Sequence, residues 1–146
     1  MTPDLAAFLD QHAFPHDQLS ATGPDGRFTP LMRACKEGRL DIVEELLTLG
    51  ADLAVLNADG CNALWLACYS GSQAIIQRLI DAGIAIDNQN GNGATALMYV
   101  ASNSKPDLVQ LLLNNGANPA LKNFDDFSAL DLAASMACLK LLKKAA

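Results

Sequence analysis

The sequence predicts an all-α solenoid: stacked helix-turn-helix units with short hairpin tips, preceded by an N-terminal capping helix. Three observations carry this. Thr29, Asn62, Thr95 and Ser128 fall 33 residues apart, each followed two positions later by a leucine, Leu31, Leu64, Leu97 and Leu130. A period held through successive copies marks a repeat architecture. Gly50, Gly83 and Gly116 recur at the same interval, as do the apolar pairs Ile42 and Val43, Ile75 and Ile76, Leu108 and Val109, Leu141 and Leu142. Finally, 51% of the 146 residues are apolar but only 5% are aromatic. The core must therefore be built from Leu, Ile, Val and Ala, which suits close helix packing better than a β-sandwich.

Residues 1–23 precede the periodic part. The stretch TPDLAAFLDQHAF offers Thr2 as N-cap, Pro3 in the first turn, and Leu5, Phe8 and Leu9 on one side. This reads as a helix that covers the open end of the stack. The repeat domain, 24–146, divides into units 24–56, 57–89 and 90–122 and a partial unit 123–146.

Each unit opens on a residue whose side-chain oxygen can accept a hydrogen bond from an unpaired helix amide, and Pro30 occupies the tolerant first helical position. A first helix of about ten residues follows, with small residues such as Ala34, Cys35, Ala67 and Cys68 that let a neighbour approach. Gly38 and Gly71 supply a positive-φ turn. The second helix carries its apolar residues, for example Ile42, Val43, Leu46 and Leu47, along one stripe. The segments NADG (57–60) and NGNG (90–93) then suit a turn or short hairpin. In the last helix Lys140, Lys143 and Lys144 suit solvent and the negative dipole end.

Gly91, Gly93 and Ala96 spell G-x-G-x-x-A, the turn that brings backbone up to a dinucleotide pyrophosphate. Its sister copies, Ala58 to Ala63 and Phe124 to Ala129, do not preserve both glycines, and Leu111 to Asn115 stand where a ribose-binding acid belongs. The motif is one copy of the repeat turn, and no cofactor is expected.

A formal charge of −6 argues against a nucleic-acid partner. No apolar run approaches the roughly 20 residues that span a bilayer, so no membrane partner is expected. The cysteines, Cys35, Cys61, Cys68 and Cys138, form no C-x-x-C pair, and His12 and His16 lie far from them, flanking Pro15. No metal site is expected, and neutral thiols imply a reducing, cytoplasmic setting. A small enzyme using Cys61 or a histidine is the alternative reading, but nothing basic adjoins Cys61 to activate it, and both histidines are confined to the cap.

The elements TPLM (29–32), GRLDIVEELLTLGADL (38–53) and LLLNNGANP (111–119), set in a 33-residue frame, resemble the ankyrin repeat family. Departures occur. Met32, Trp65, Met98 and Asp131 stand where the family's T-P-L-H element has histidine. The tip glycine, kept as Gly60 and Gly93, becomes Arg27 and Asp126, so the outer tips are expected to differ in shape. Ser104 and Ala137 replace the interhelical glycine, with Lys105 and Pro106 restarting the second helix by another turn. Ala54, Asp87 and Ala120 occupy the position at which some animal repeats carry a hydroxylated asparagine, so that modification is not implied.

The resemblance implies a concave surface, lined by first helices and tips, that grips another protein. From Leu53 to Ser104 the only charges are Asp59, Arg78, Asp81 and Asp87, whereas Asp25 to Asp52 holds ten. The quiet middle also contains Trp65, Tyr69 and Tyr99, and interface centres favour aromatics with few charges. On the frame, Lys36, Glu37, Tyr69, Ser70, Ser102, Asn103, Ser135 and Met136 fall near the exposed ends of the first helices. Asp59, Asn92, Phe124 and Asp125 fall at the tips. These, with Trp65, are the candidate contacts, although Trp65 equally fits packing between hairpins. Phe28 and Phe127 are expected to cover edges, and Asp41, Glu44 and Glu45 to form a solvated face. The expectation is a non-catalytic interaction module, an adaptor, inhibitor or assembly factor, that is a monomer when free. Self-association is a further alternative. Beginning at Met1 with both ends capped, the chain reads as a complete small protein.

Overall fold

The computed structural model describes residues 1–24 and 26–145. Asp25, one of the charges of the first unit, and Ala146, the end of the partial repeat, lie outside them. Among the described residues there are nine helices and no strand, only an isolated bridge between Lys122 and Ser128. The chain forms two compact units, Met1–Ile84 and Ala85–Ala146.

The first unit holds α1 (Pro3–Gln11), α2 (Pro30–Lys36), α3 (Leu40–Thr48), α4 (Ala63–Ser70) and α5 (Gln73–Asp81). Thr2 starts α1 by accepting the Leu5 N–H on its hydroxyl at 3.2 Å, and Leu5, Phe8 and Leu9 are buried. The helix packs on α3, where the Thr2 N–H and hydroxyl both donate to the Glu45 carboxylate. The first helices α2 and α4 lie side by side, burying Leu31, Ala34 and Cys35 with Leu64, Ala67 and Cys68. Each also packs on its own second helix, whose stripe Ile42, Val43 and Leu46, or Ile75, Ile76 and Leu79, is fully buried.

The first helices are shorter than expected, seven residues in α2 and eight in α4, because the turn arrives early. Gly38 adopts φ +70°, its N–H donates to the Cys35 carbonyl, and the Arg39 N–H reaches back to Ala34. Those bonds satisfy carbonyls a helix end leaves unpaired. Thr29 caps α2 by accepting the Met32 N–H. Asn62, at the equivalent place in α4, has extended backbone but no side-chain cap bond, and its amide is buried.

The second unit holds α6 (Ala96–Ser102), α7 (Pro106–Asn114), α8 (Ala129–Leu132) and α9 (Met136–Ala145). Thr95 and Ser128 cap as expected. Ser104 does not change the interhelical turn. It takes φ +56°, and the Ser104 and Lys105 N–H groups donate to Ala101 and Val100, as Gly38 and Arg39 do to Cys35 and Ala34.

The tips share a device that does not depend on glycine. Asn57, Asn90 and Asn123 each accept two backbone N–H groups on the side-chain oxygen: from Asp59 and Cys61, from Asn92 and Ala94, and from Asp125 and Phe127. The residue three further on closes the turn in the left-handed region, Gly60 at φ +79°, Gly93 at +75° and Asp126 at +69°. The Asp126 tip therefore has the shape of the inner tips, since aspartate tolerates this region better than most side chains. The first tip also closes in the left-handed region, with Gly26 at φ +66° donating to the Gly23 carbonyl, but its Gly23 N–H reaches the Phe28 carbonyl, one residue further along than in the other three.

Candidate functional site

The period places equivalent side chains at equivalent ends. Lys36 closes α2 with Glu37 as its C-cap, Tyr69 and Ser70 close α4, and Ser102 closes α6 with Asn103 as its C-cap. Tyr69 is 57% exposed, and Glu37, Ser70, Ser102 and Asn103 are also exposed.

In the first unit these ends meet. The Lys36 ammonium lies 5.6 Å from the Tyr69 ring centroid and 5.0 Å from that of Phe28, and the Arg33 guanidinium lies 5.4 Å from Phe28. The quadrupole of each ring attracts the cation over its face. Glu37 turns to other partners, accepting from Arg33 Nε at 2.7 Å and lying 2.9 Å from His12 Nε2. Two depressions flank Phe28. One, of about 240 Å³, is lined by His12, Phe14, Gly23, Pro24, Phe28 and Arg33. The other is lined by Arg27, Phe28, Asn57, Ala58, Asp59 and Leu66, which puts the exposed tip residue Asp59 at its edge.

In the second unit the tip residues come together. The Phe124 N–H donates to the Asn92 carbonyl at 3.0 Å, and the Phe124 ring lies over Gly93 while remaining 78% exposed. Asp125 is exposed beside it. The Asn103 amide donates to the Tyr99 carbonyl at 2.8 Å, which fixes its orientation at the end of α6.

Ser135 and Met136 are corrections. They do not end a first helix, because α8 stops after Leu132. Ala133 is extended and the Ala134 N–H donates to the Ala101 carbonyl, which draws the chain out of the helix. Ser135 instead caps the following helix by accepting the Cys138 N–H, and Met136, 65% exposed, is the first residue of α9. Ala137 accordingly lies inside α9 and not in a turn. Trp65 is half-buried in the first turn of α4. Phe127 is 48% exposed, so it covers its edge only in part.

Several other titratable groups have structural partners. Asp41 pairs with Arg39 and Glu44 with Arg78, so the acidic run is engaged and not merely solvated. Arg39 holds the Asp41 carboxyl below its ordinary range. Burial, with Cys68 adding to it, pushes the Cys35 thiol far above its usual value. All four cysteines are buried and none is in a disulfide, and His16 lies 2.7 Å from Asp10. Among the described residues no cluster of His, Cys, Asp and Glu is grouped as metal ligands, and no helix is long and apolar enough to cross a membrane. Sequence reasoning missed Phe28 and Arg33 as site residues and the tip asparagines as its scaffold. The 33-residue spacing of Asn57, Asn90 and Asn123 was the available signal for the latter.

Comparison with known proteins gives a family. A model described as ankyrin repeats (3 copies) matches residues 5–90 and 64–145. No curated protein matches the sequence. Among solved structures, the ankyrin repeat domain of Bcl-3, described as a unique member of the IkappaB protein family, is similar with a TM-score of 0.80 and 28% identity. The match covers 86% of this chain and 55% of that one, so this chain spans little more than half the length of that domain.

Proposed function

The chain belongs to the ankyrin repeat family, a family of protein-interaction modules, and from that premise we propose that it is a non-catalytic binder of one partner protein, acting as an adaptor, inhibitor or assembly factor. The contacts it uses are first-helix ends and tips within each unit: Lys36, Glu37, Tyr69, Ser70 and Asp59 in the first, and Asn92, Ser102, Asn103, Phe124 and Asp125 in the second. The observation that carries this is Tyr69, a large aromatic 57% exposed at the end of α4 beside a cation that has no carboxylate partner among the described residues. Aromatic side chains so placed are the commonest anchors of protein interfaces.

The rest of the chemistry supports binding over catalysis. Cys61 is 8% exposed, and the two imidazoles lie on and beside the N-terminal helix, 2.9 Å from Glu37 and 2.7 Å from Asp10. A nucleophile needs a base and an orienting group within hydrogen-bond reach. Buried thiols outside any disulfide fit a reducing, cytoplasmic setting, with residues 1–23 as the capping segment of a repeat domain over 24–146 and the free protein a monomer.

Affinity capture followed by mass spectrometry, run with the unaltered protein and with Tyr69→Ala combined with Asn103→Ala, tests the reading. A partner captured by the first and lost by the second, with unchanged circular dichroism, is expected. Equal capture by both overturns the assignment of this surface.

A further inference from the structure

We propose that the segment received by the first repeat is an acidic peptide carrying an apolar side chain next to its carboxylate, and that Phe28, Lys36 and Tyr69 form its seat. This deepens the protein-binding reading above and rests on it.

The cation is the starting point. Arg33, Arg39, Arg78 and Lys122 are each engaged by a carboxylate, from Glu37, Asp41, Glu44 and Asp126. Lys36 is held differently, by the faces of Phe28 and Tyr69, and among the described residues no carboxylate lies within ion-pair distance of it. An ammonium has three N–H donors, so one held against two rings still keeps a donor for an anion. The acid next to it in sequence does not compete, since Glu37 takes its contacts from Arg33 and His12.

The apolar requirement comes from Phe28. Its ring is half-buried and forms a wall of both depressions. The smaller one, about 240 Å³, has Phe14, Pro24 and Phe28 as apolar lining and His12 and Arg33 as its polar members. That is below the roughly 300 to 1,000 Å³ of a drug-sized ligand site, and suits a single side chain. A residue anchored there lies against the ring that Lys36 covers, which sets the acidic group of the same segment at the ammonium.

The chain's formal charge of −6 does not reverse this. Exposed charges further away than about 8 Å are largely screened at physiological salt, so the side chains touching the segment set the sign. Aspartate at the far tip, Asp59, then orients the segment by repelling its acidic end from the second depression.

A library of random peptides displayed on phage and selected on the full chain tests the proposal, with the selected peptides measured by fluorescence anisotropy. The selected peptides are expected to share an acidic residue next to an aromatic or aliphatic one. Lys36→Glu is expected to weaken them by about tenfold or more, as removing a paired interfacial charge does. Exchanging the peptide's acidic residue for lysine is expected to restore binding to Lys36→Glu, a gain that a misfolded variant could not give. Selected peptides that lack an acidic residue, or that bind Lys36→Glu unchanged, overturn the proposal and leave the protein-binding reading standing. A selection that enriches no peptide at all overturns both.

Discussion

Phe124 occupies the space into which a side chain on Gly93 would project: a Cβ at Gly93 would lie 2.6 Å from Phe124 Cδ1 and 3.0 Å from the Phe124 backbone nitrogen. Gly93 is thus constrained twice, by φ +75° and by its neighbour. Gly71, at φ +77°, has nothing within 4 Å of the same position. The left-handed conformation alone costs a side chain about 1–2 kcal/mol. Gly71→Ala should lose about that much stability in chemical denaturation, and Gly93→Ala should lose more. Adding Phe124→Ala should recover part of the excess at Gly93 and none at Gly71.

The tip asparagines make a second comparison. Asn90 accepts the N–H groups of Asn92 and Ala94 at 3.0 Å each. Asn90→Ala leaves both donors without that acceptor and should cost about 1–3 kcal/mol. Asn90→Asp retains an acceptor oxygen and should cost less. Amide hydrogen exchange at Ala94 reports the difference directly, with faster exchange expected in Asn90→Ala alone.

At Ser128 the capping box has a pH signature. The Ser128 backbone N–H and hydroxyl donate to Asp131, and these bonds, with Lys122 nearby, hold the Asp131 carboxyl below its ordinary value of 3.8. A carboxyl depressed in the folded state stabilises it above the unfolded pKa, and that contribution disappears as pH falls through the folded pKa. Asp131→Ala should therefore lower the melting temperature at neutral pH, and the gap to the unaltered protein should close below about pH 4.

The thiols supply a test of the non-catalytic reading. With Cys35, Cys68 and Cys138 fully buried and Cys61 at 8% exposure, alkylation by a maleimide should be slow in the native protein. It should become rapid in denaturant. Fast native labelling of Cys61 would instead reveal an accessible, activated thiol.

How much of this was visible in the sequence depends on what each residue does through its spacing. Lys36 and Tyr69 are one period apart, so their neighbourhood follows from the repeat alone. The caps at Thr29, Thr95 and Ser128 were legible for the same reason, because a hydroxyl before an apolar run has one common local use. Ser104 and Asp126 were misread because the turn was attributed to glycine, whereas the surrounding hydrogen bonds impose positive φ on other residues too. The early end of α8 was hidden as well. It depends on a bond from Ala134 to Ala101, a long-range contact that no local pattern encodes, and it displaced Ser135 and Met136 from their expected places. The cation between Phe28 and Tyr69 needed side-chain geometry.

Hydrogen exchange with and without a captured partner tests the central claim most directly. Protection should appear at the ends of α2, α4 and α6 and at the tips around Asn57, Asn90 and Asn123. Protection confined to the second helices α3, α5 and α7, with those ends and tips unchanged, would contradict it.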